Sequence, residues 1–325
     1  MKKSNLPIVF ILALLLISMS CKKKQSNAYE DYYYQLLSLI EQNSVKKNDI
    51  NWSDIKRDVK DSIKVFSSND DLYRAIKYTL KLINDGHSLF ISSRIDISNH
   101  TVSRFNSDTI PEVEARIING EIGYLNLHGL YANDSLTGIY QMEVRKALLR
   151  LDSSSKLSGW IIDLRNHSGG KLTSESLGLS PLFEQPLIGI SCDNMHSFKN
   201  IVCSNNVFNF GDIKLDSLIG NSTLKNRHKK IAVLVGKSTV SAGEFLALAF
   251  KFQKNTKVFG SKTNGKTSHL RLFEFKSNAR LLLAIGYFCD KDKKILKRGV
   301  IPDIACDSSK SLKMAVDWIK QPLEI

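Results

Sequence analysis

Residues Ile231 to Lys266 read IAVLVGKSTVSAGEFLALAFKFQKNTKVFGSKTNGK, and this stretch decides the fold class. Ile231 to Val235 is an unbroken apolar run rich in β-branched residues, the composition of a strand covered on both faces. After a small-residue turn, Phe245, Leu246, Leu248, Ala249 and Phe252 recur at helical spacing, so an amphipathic helix starts near Ser241. A second strand then runs out to Gly260. Strand, helix, strand in that order is the unit of a parallel α/β sheet. Ser241 falls at the helix start, where the unpaired amide of Ala242 and the positive end of the dipole would stabilise an oxyanion. The same residues, Ser241-Ala-Gly-Glu244, also spell a capping box, with the hydroxyl on the Glu244 amide and the carboxylate returned to Ser241. A nucleophile and a cap are both open at this point.

Lys266 follows Ser241 by 25 positions, in the loop that leaves the second strand. A lysine accepts a serine proton only if its ammonium is desolvated or crowded enough to shed its own near neutral pH; otherwise it is a solvated surface charge. Upstream, Gly159-Trp-Ile-Ile-Asp-Leu-Arg-Asn-His-Ser-Gly-Gly170 is a buried strand ending in a double-glycine loop, which lets backbone amides approach a ligand closely.

Four segments carry a resemblance: Asp163-Leu-Arg-Asn-His-Ser-Gly-Gly170, Thr239-Val-Ser-Ala-Gly-Glu-Phe245, Gly260-Ser-Lys-Thr-Asn-Gly-Lys266 and Gly299-Val-Ile-Pro-Asp-Ile304. In this order they resemble the tail-specific, or C-terminal processing, serine proteases, whose core is shared with the tricorn protease. The resemblance implies an α/β core of the ClpP and crotonase type. It implies Ser241 as nucleophile, Lys266 at the position of the serine-lysine general base, and an oxyanion hole from Ala242 with Gly169 and Gly170. Asp163 and Arg165 are expected to hold the loop rather than to do chemistry.

Two departures bear on the base. Leu270 stands where serine-lysine members carry a glutamine four residues beyond the lysine, and Leu296, Lys297 and Arg298 fill the stretch where tricorn-type enzymes place a supporting glutamate. Tricorn-like members use a histidine after an Asp-Gly pair, which His87 in Leu82-Ile-Asn-Asp-Gly-His87 matches. Imidazole titrates near neutrality without a large shift. His87 and Lys266 therefore stand as two candidate bases. The same departures motivate an alternative in which the scaffold binds peptides or proteins without cleaving them and Ser241 only caps its helix.

Lys2 and Lys3 precede an apolar run from Leu6 to Met19, short for a membrane span and shaped like a secretory signal. It ends in Ser18-Met-Ser-Cys21 and resembles a bacterial lipoprotein signal, with Cys21 as the lipidated residue. The expectation is a membrane-tethered protein of the bacterial cell envelope. Cys192, Cys203, Cys289 and Cys306 remain, free to pair in an exported chain, with Cys192 and Cys203 close enough in sequence to close a loop, or to stay as buried thiols. No Cys-x-x-Cys pattern exists, and the other histidines, His100, His128, His167, His196, His228 and His269, lack metal-ligand spacing. No metal and no cofactor are expected.

The 46 Lys and Arg outnumber the 32 Asp and Glu, a net charge of +14. Such a balance favours anionic lipid or cell-wall polymers. An export signal and the lack of any recognition motif argue against nucleic acid. The partners implied are a protein or peptide substrate and, through Cys21, the membrane.

The expected organisation is a signal peptide at 1–20, a tether at 21–27, a helical cap at 28–90, a connector at 91–119 and the α/β core at 120–325. Apolar stripes at Tyr33, Leu36, Leu37 and Ile40, at Ile55, Val59 and Ile63, and at Leu72, Ile76 and Ile83 make the cap. Ile122 to Leu127 opens the core, Leu136 to Leu151 reads as a crossover helix, and Leu270 to Phe275 with Arg280 to Phe288 reads as a hairpin. Residues 177–230 read as an insertion, with Phe198, Phe208 and Phe210 available to pack or line a cleft. The thirty or so residues between cap and core are too few for the peptide-binding PDZ module that many members of this family insert there.

Overall fold

Three amphipathic helices open the described part of the chain: α1 (Ala28–Asn43), α2 (Trp52–Ile63) and α3 (Asn69–Ile83). The structure is a computed structural model that describes residues 28–91, 109–132, 134–154, 156–220, 223–275 and 279–322. The signal, the tether and Cys21 lie outside them. Helix α2 is capped by Asn51, whose side chain accepts from the Ser53 amide, and α3 by Ser68 in a reciprocal capping box with Asp71. The buried stripes of all three close on one cluster with Phe90, Ala279, Leu281 and Leu283. The cap is thus seated on strands and shares a core with them.

The chain then alternates strands and helices: β1 (Leu89–Ile91), β2 (Glu114–Ile118), β3 (Ile122–Asn126), α4 (Asp134–Ser154), β4 (Gly159–Asp163) and α5 (Leu172–Leu179). Next come β5 (Leu187–Asp193), β6 (Phe198–Ser204), β7 (Val207–Phe210), β8 (Ile213–Ser217), β9 (Lys230–Val235), α6 (Ala242–Lys251) and β10 (Thr256–Gly260). The chain ends through β11 (Ser268–Glu274), β12 (Arg280–Cys289), β13 (Ile304–Ala305) and α7 (Ser308–Lys320).

One sheet has the order β13-β10-β9-β4-β3-β2, parallel throughout except for β2. Strands β4 and β9 are buried along their whole length, as their unbroken apolar runs require. Edge strand β2 lies in the stretch read as a connector, because only its antiparallel pairing with β3 reveals it. The second sheet runs β1-β12-β5-β6-β7-β8, with β11 also on β12. Its antiparallel strands β5 to β8 are what the insertion becomes, and Asn205, Asn206 and Gly211 make turns between them at positive φ. Phe208 is buried there, Phe210 stacks on His269 at 4.4 Å between ring centroids, and Phe198 is exposed. The expected β11–β12 hairpin forms, and β12 is the strand on which the cap, β1, β5 and β11 all meet.

Two buried polar devices fix the layers. Arg145 of α4 donates to the carbonyls of Leu177 and Gly178, to Ser180 Oγ and to Asn206 Oδ1, joining the crossover helix to α5 and the second sheet. Lys230 of β9 donates to the carbonyls of Trp318, Gln321 and Pro322, satisfying the C-terminal end of α7. The four core cysteines are free thiols: Cys192 and Cys203 sit on neighbouring strands without bonding, and the Cys192 thiol faces Cys289.

Candidate active site

The nucleophile candidate sits where β9 stops. Val235 ends the strand, Thr239 bridges the turn by donating to the Leu164 carbonyl and accepting from the Gly236 amide, and Ser241 leads into α6. Its backbone is at φ 51°, ψ −109°, a conformation an L-residue adopts only when its surroundings over-determine it, at about 1–3 kcal/mol. The support comes from Glu244, fully buried, whose carboxylate accepts from the Ser241 amide at 2.9 Å, from Thr263 Oγ1 at 2.5 Å and from the Gly265 amide at 2.7 Å. One carboxylate thus ties the serine turn to the loop after β10. Both halves of the capping box are brought together, the carboxylate on the Ser241 amide and the hydroxyl toward the Glu244 amide, and a hydroxyl that accepts from an amide keeps its own proton to donate.

The Ser241 hydroxyl meets His87. Oγ lies 3.0 Å from His87 Nε2, and the other ring nitrogen, Nδ1, lies 2.6 Å from Ser268 Oγ. Residues 87, 241 and 268 come from three places in the chain: β12 brings His87 and Ser268 together, with β1 after His87 on one side of it and β11, opening at Ser268, on the other, and Ser241 meets them from the end of β9. Asp85 shapes the turn. Its Oδ1 accepts from the amides of His87 and Ser88 at 2.9 and 2.7 Å, and its Oδ2 accepts from Ser88 Oγ at 2.5 Å. Ser88 Oγ in turn accepts from the Ala284 amide of β12 at 2.9 Å. Burial and the nearby Lys266 cation lower the His87 pKa to about 4, against the opposing pull of Asp85 and of the Ser268 backbone. At neutral pH the ring is an uncharged acceptor.

Lys266 is exposed on the loop after β10 and makes no hydrogen bond to Ser241 or His87 among the described residues. The two candidate bases are therefore placed differently: the imidazole touches the hydroxyl, and the lysine acts on the imidazole as a charge.

The double-glycine loop closes the third side. Gly169 (φ 105°) and Gly170 (φ 130°) hold conformations that L side chains avoid, and a Cβ on Gly170 would lie 2.2 Å from the Leu130 carbonyl oxygen, while one on Gly169 would lie 3.2 Å from Ser241 Cβ. The Gly169 amide is directed at His167 Nδ1, 3.3 Å away. The Gly170 and Ala242 amides have no acceptor among the described residues; Ala242 follows the serine in the chain, and Gly170 follows Gly169, the glycine that lies against it. Asp163 and Arg165 hold the loop as expected: Arg165 forks onto the Asp163 carboxylate at 2.5 Å and 3.0 Å and reaches the Ser308 carbonyl of α7, and Tyr124 Oη donates to the same carboxylate.

Sequence reasoning missed Ser268, Asp85 and the buried pair His167 and Glu175. The Asp-Gly dipeptide before His87 was a legible turn signal for Asp85. Ser268 had none, because its role depends on the pairing of β11 with β12.

The profile of peptidase family S41 matches residues 121–306, more than half of the chain. The nisin-resistance protein of Lactococcus lactis subsp. lactis is 29% identical over 255 residues, covering 77% of this chain and 74% of that protein. Carboxyl-terminal-processing peptidase 2, chloroplastic, of Arabidopsis thaliana is 29% identical over 185 residues, which are 56% of this chain and 31% of the peptidase. Among solved structures, a lipoprotein from Streptococcus agalactiae superposes with a TM-score of 0.76 at 24% identity, over 90% of this chain and 96% of the other. The photosystem II D1 C-terminal processing protease does so with a TM-score of 0.59 at 12% identity, over 91% and 98%. The two structures share the fold, and the family profile spans the strands that carry Ser241 and the glycine loop. The chain belongs to peptidase family S41, a family of serine-type peptidases.

Proposed function

We propose that this protein is an exported, lipid-anchored serine peptidase in which Ser241 is the nucleophile and His87 the general base. The contact between Ser241 Oγ and His87 Nε2, at 3.0 Å, carries the reading. Nδ1–H donates to Ser268, whose backbone and hydroxyl both lie beside it, leaving Nε2 to accept the serine proton. Ser241 Oγ attacks the peptide carbonyl, and the amides of Ala242 and Gly170 receive the oxyanion, Ala242 at the positive end of α6. His87 then gives its proton to the leaving amine, and water releases the acyl group by the same route. Lys266 serves as a neighbouring positive charge that keeps His87 neutral. No cofactor enters.

The substrate class is protein or peptide, and the name of the L. lactis relative makes nisin the first candidate to try. Anchoring rests on Cys21 and the apolar run before it. A fluorophosphonate probe is expected to label the intact protein and to spare Ser241→Ala. Equal labelling of both, or none of either, would favour the non-cleaving binder. In cells, Cys21→Ser is expected to move the protein from the membrane fraction to the soluble one; continued sedimentation with membranes would remove the anchor.

A further inference from the structure

Beneath the double-glycine loop lies a pair of titratable side chains that takes no part in the proton transfers above. His167 and Glu175 are both fully buried, with His167 Nε2 2.8 Å from Glu175 Oε1. Glu175 stands in the first turn of α5, which begins directly after the loop, and its second oxygen has no partner. On the other side of the ring, Nδ1 faces the Gly169 amide at 3.3 Å. The imidazole also packs against the first turn of α6: a Cβ on Gly243 would come within 2.6 Å of Nδ1. The His167 carbonyl accepts from the Val240 amide at 2.9 Å, one residue before the serine. His167 therefore touches both walls of the cleft that would receive the oxyanion.

We propose that His167 and Glu175 are a buried positioning pair that sets the oxyanion-binding loop; the inference rests on the peptidase reading above. An N–H can face only an acceptor, so the Gly169 amide requires a bare Nδ1. That places the single ring proton on Nε2, where Glu175 accepts it. A carboxylate or a carboxylic acid offers an oxygen for this bond, so the arrangement survives whichever form burial favours; burial raises the Glu175 pKa, and His167 opposes the rise. With the Gly169 amide turned inward and held, the next amide, that of Gly170, is presented to the cleft. Neither side chain touches the substrate. They act through the geometry of two backbone donors.

The test separates this role from plain stability and from the peptidase reading. Glu175→Gln keeps an oxygen for Nε2–H, whereas Glu175→Leu removes it. With a cleavable peptide, Glu175→Leu is expected to lower kcat about 10- to 100-fold, less than the roughly 10²- to 10³-fold that outright removal of an oxyanion donor costs, with KM within about twofold. The affinity for a peptidyl boronate, which forms the tetrahedral adduct, should weaken by the same factor, and Glu175→Gln should stay within about threefold of the parent. Independently of any variant, the imidazole 15N shifts of His167 in the full chain at pH 7 are expected to show a protonated Nε2 and a bare Nδ1. A folded Glu175→Leu protein with parental kcat, a loss confined to KM, or a ring protonated at Nδ1 would overturn the pair. If the parent protein itself takes no fluorophosphonate, the peptidase reading has failed instead, and the tautomer measurement still decides whether the pair is built as described.

Discussion

At the scale of single residues, the choice of base follows from reach and charge. An imidazole held 3.0 Å from the hydroxyl can accept its proton directly, and an exposed ammonium stays charged unless something strips its water. His87→Ala is expected to lower kcat/KM by about 10³-fold or more, as removal of a general base does when it also orients the nucleophile. Lys266→Met is expected to keep most activity at pH 7.5 and to change the pH profile. With a His87 pKa of about 4, kcat/KM should rise with pH through that value and level off before neutrality. Removing the Lys266 cation withdraws one of the two lowering influences, so the rising limb should move upward, toward the ordinary imidazole value, while burial still holds it below. Loss of activity at pH 7.5 in Lys266→Met, with an intact rate in His87→Ala, would reverse the assignment. Ser241, His87 and the glycines were legible because nucleophile, Asp-Gly-His and double glycine are local patterns. Ser268 was not, since a serine at the start of a strand acquires meaning only from its neighbour across the sheet.

Elements place these groups through buried carboxylates that bridge loops. Glu244 joins the start of α6 to the loop after β10 through three donors, two of them backbone amides. Its replacement by alanine leaves two half-buried amides and the buried Thr263 hydroxyl without this acceptor and frees the strained Ser241 turn. The expected outcome is a loss of roughly 3 kcal/mol in urea unfolding, with fluorophosphonate labelling slowed more than tenfold at temperatures where the variant is folded. An unchanged labelling rate would mean that the turn holds its shape without the carboxylate. Asp85 does the equivalent for the His87 turn. Asp85→Ala is expected to destabilise by only about 1 kcal/mol, because this turn is partly solvated, yet to slow the reaction about tenfold or more by letting the ring leave Ser268. The capping box at Ser241 was visible in the sequence, and its second use, as a clamp on a distant loop, was not. Strands β5 to β8 stayed unread for a related reason: they are short and separated by turn residues, and each is defined by the neighbour it pairs with, β5 by β12 and the others one after another beyond it.

For the whole molecule, two half-buried imidazoles have lowered pKa values in the fold, and this makes stability depend on pH. His87 sits where the first sheet meets β1 and β11, and His269, on β11, is sandwiched against Phe210, with its pKa lowered to about 4 by burial and by Lys199 and Arg271. A histidine whose pKa is lower in the folded state is protonated more readily when unfolded, so the unfolded chain binds more protons between about pH 4 and 6.5 and stability rises with pH across that window. The contribution is whole above the unfolded value near 6.5 and is lost as pH falls toward 4. Glu175, with its raised pKa, works in the opposite sense at higher pH, so the informative quantity is a difference between two proteins that both contain it. His269→Phe keeps the ring stack and removes the titration. From pH 7 to pH 4 the parent chain is expected to lose on the order of 2 kcal/mol more stability than His269→Phe, read from urea unfolding at each pH. Parallel curves for the two proteins would mean that the His269 imidazole is protonated in the fold without penalty, and that its stack on Phe210 is open to water.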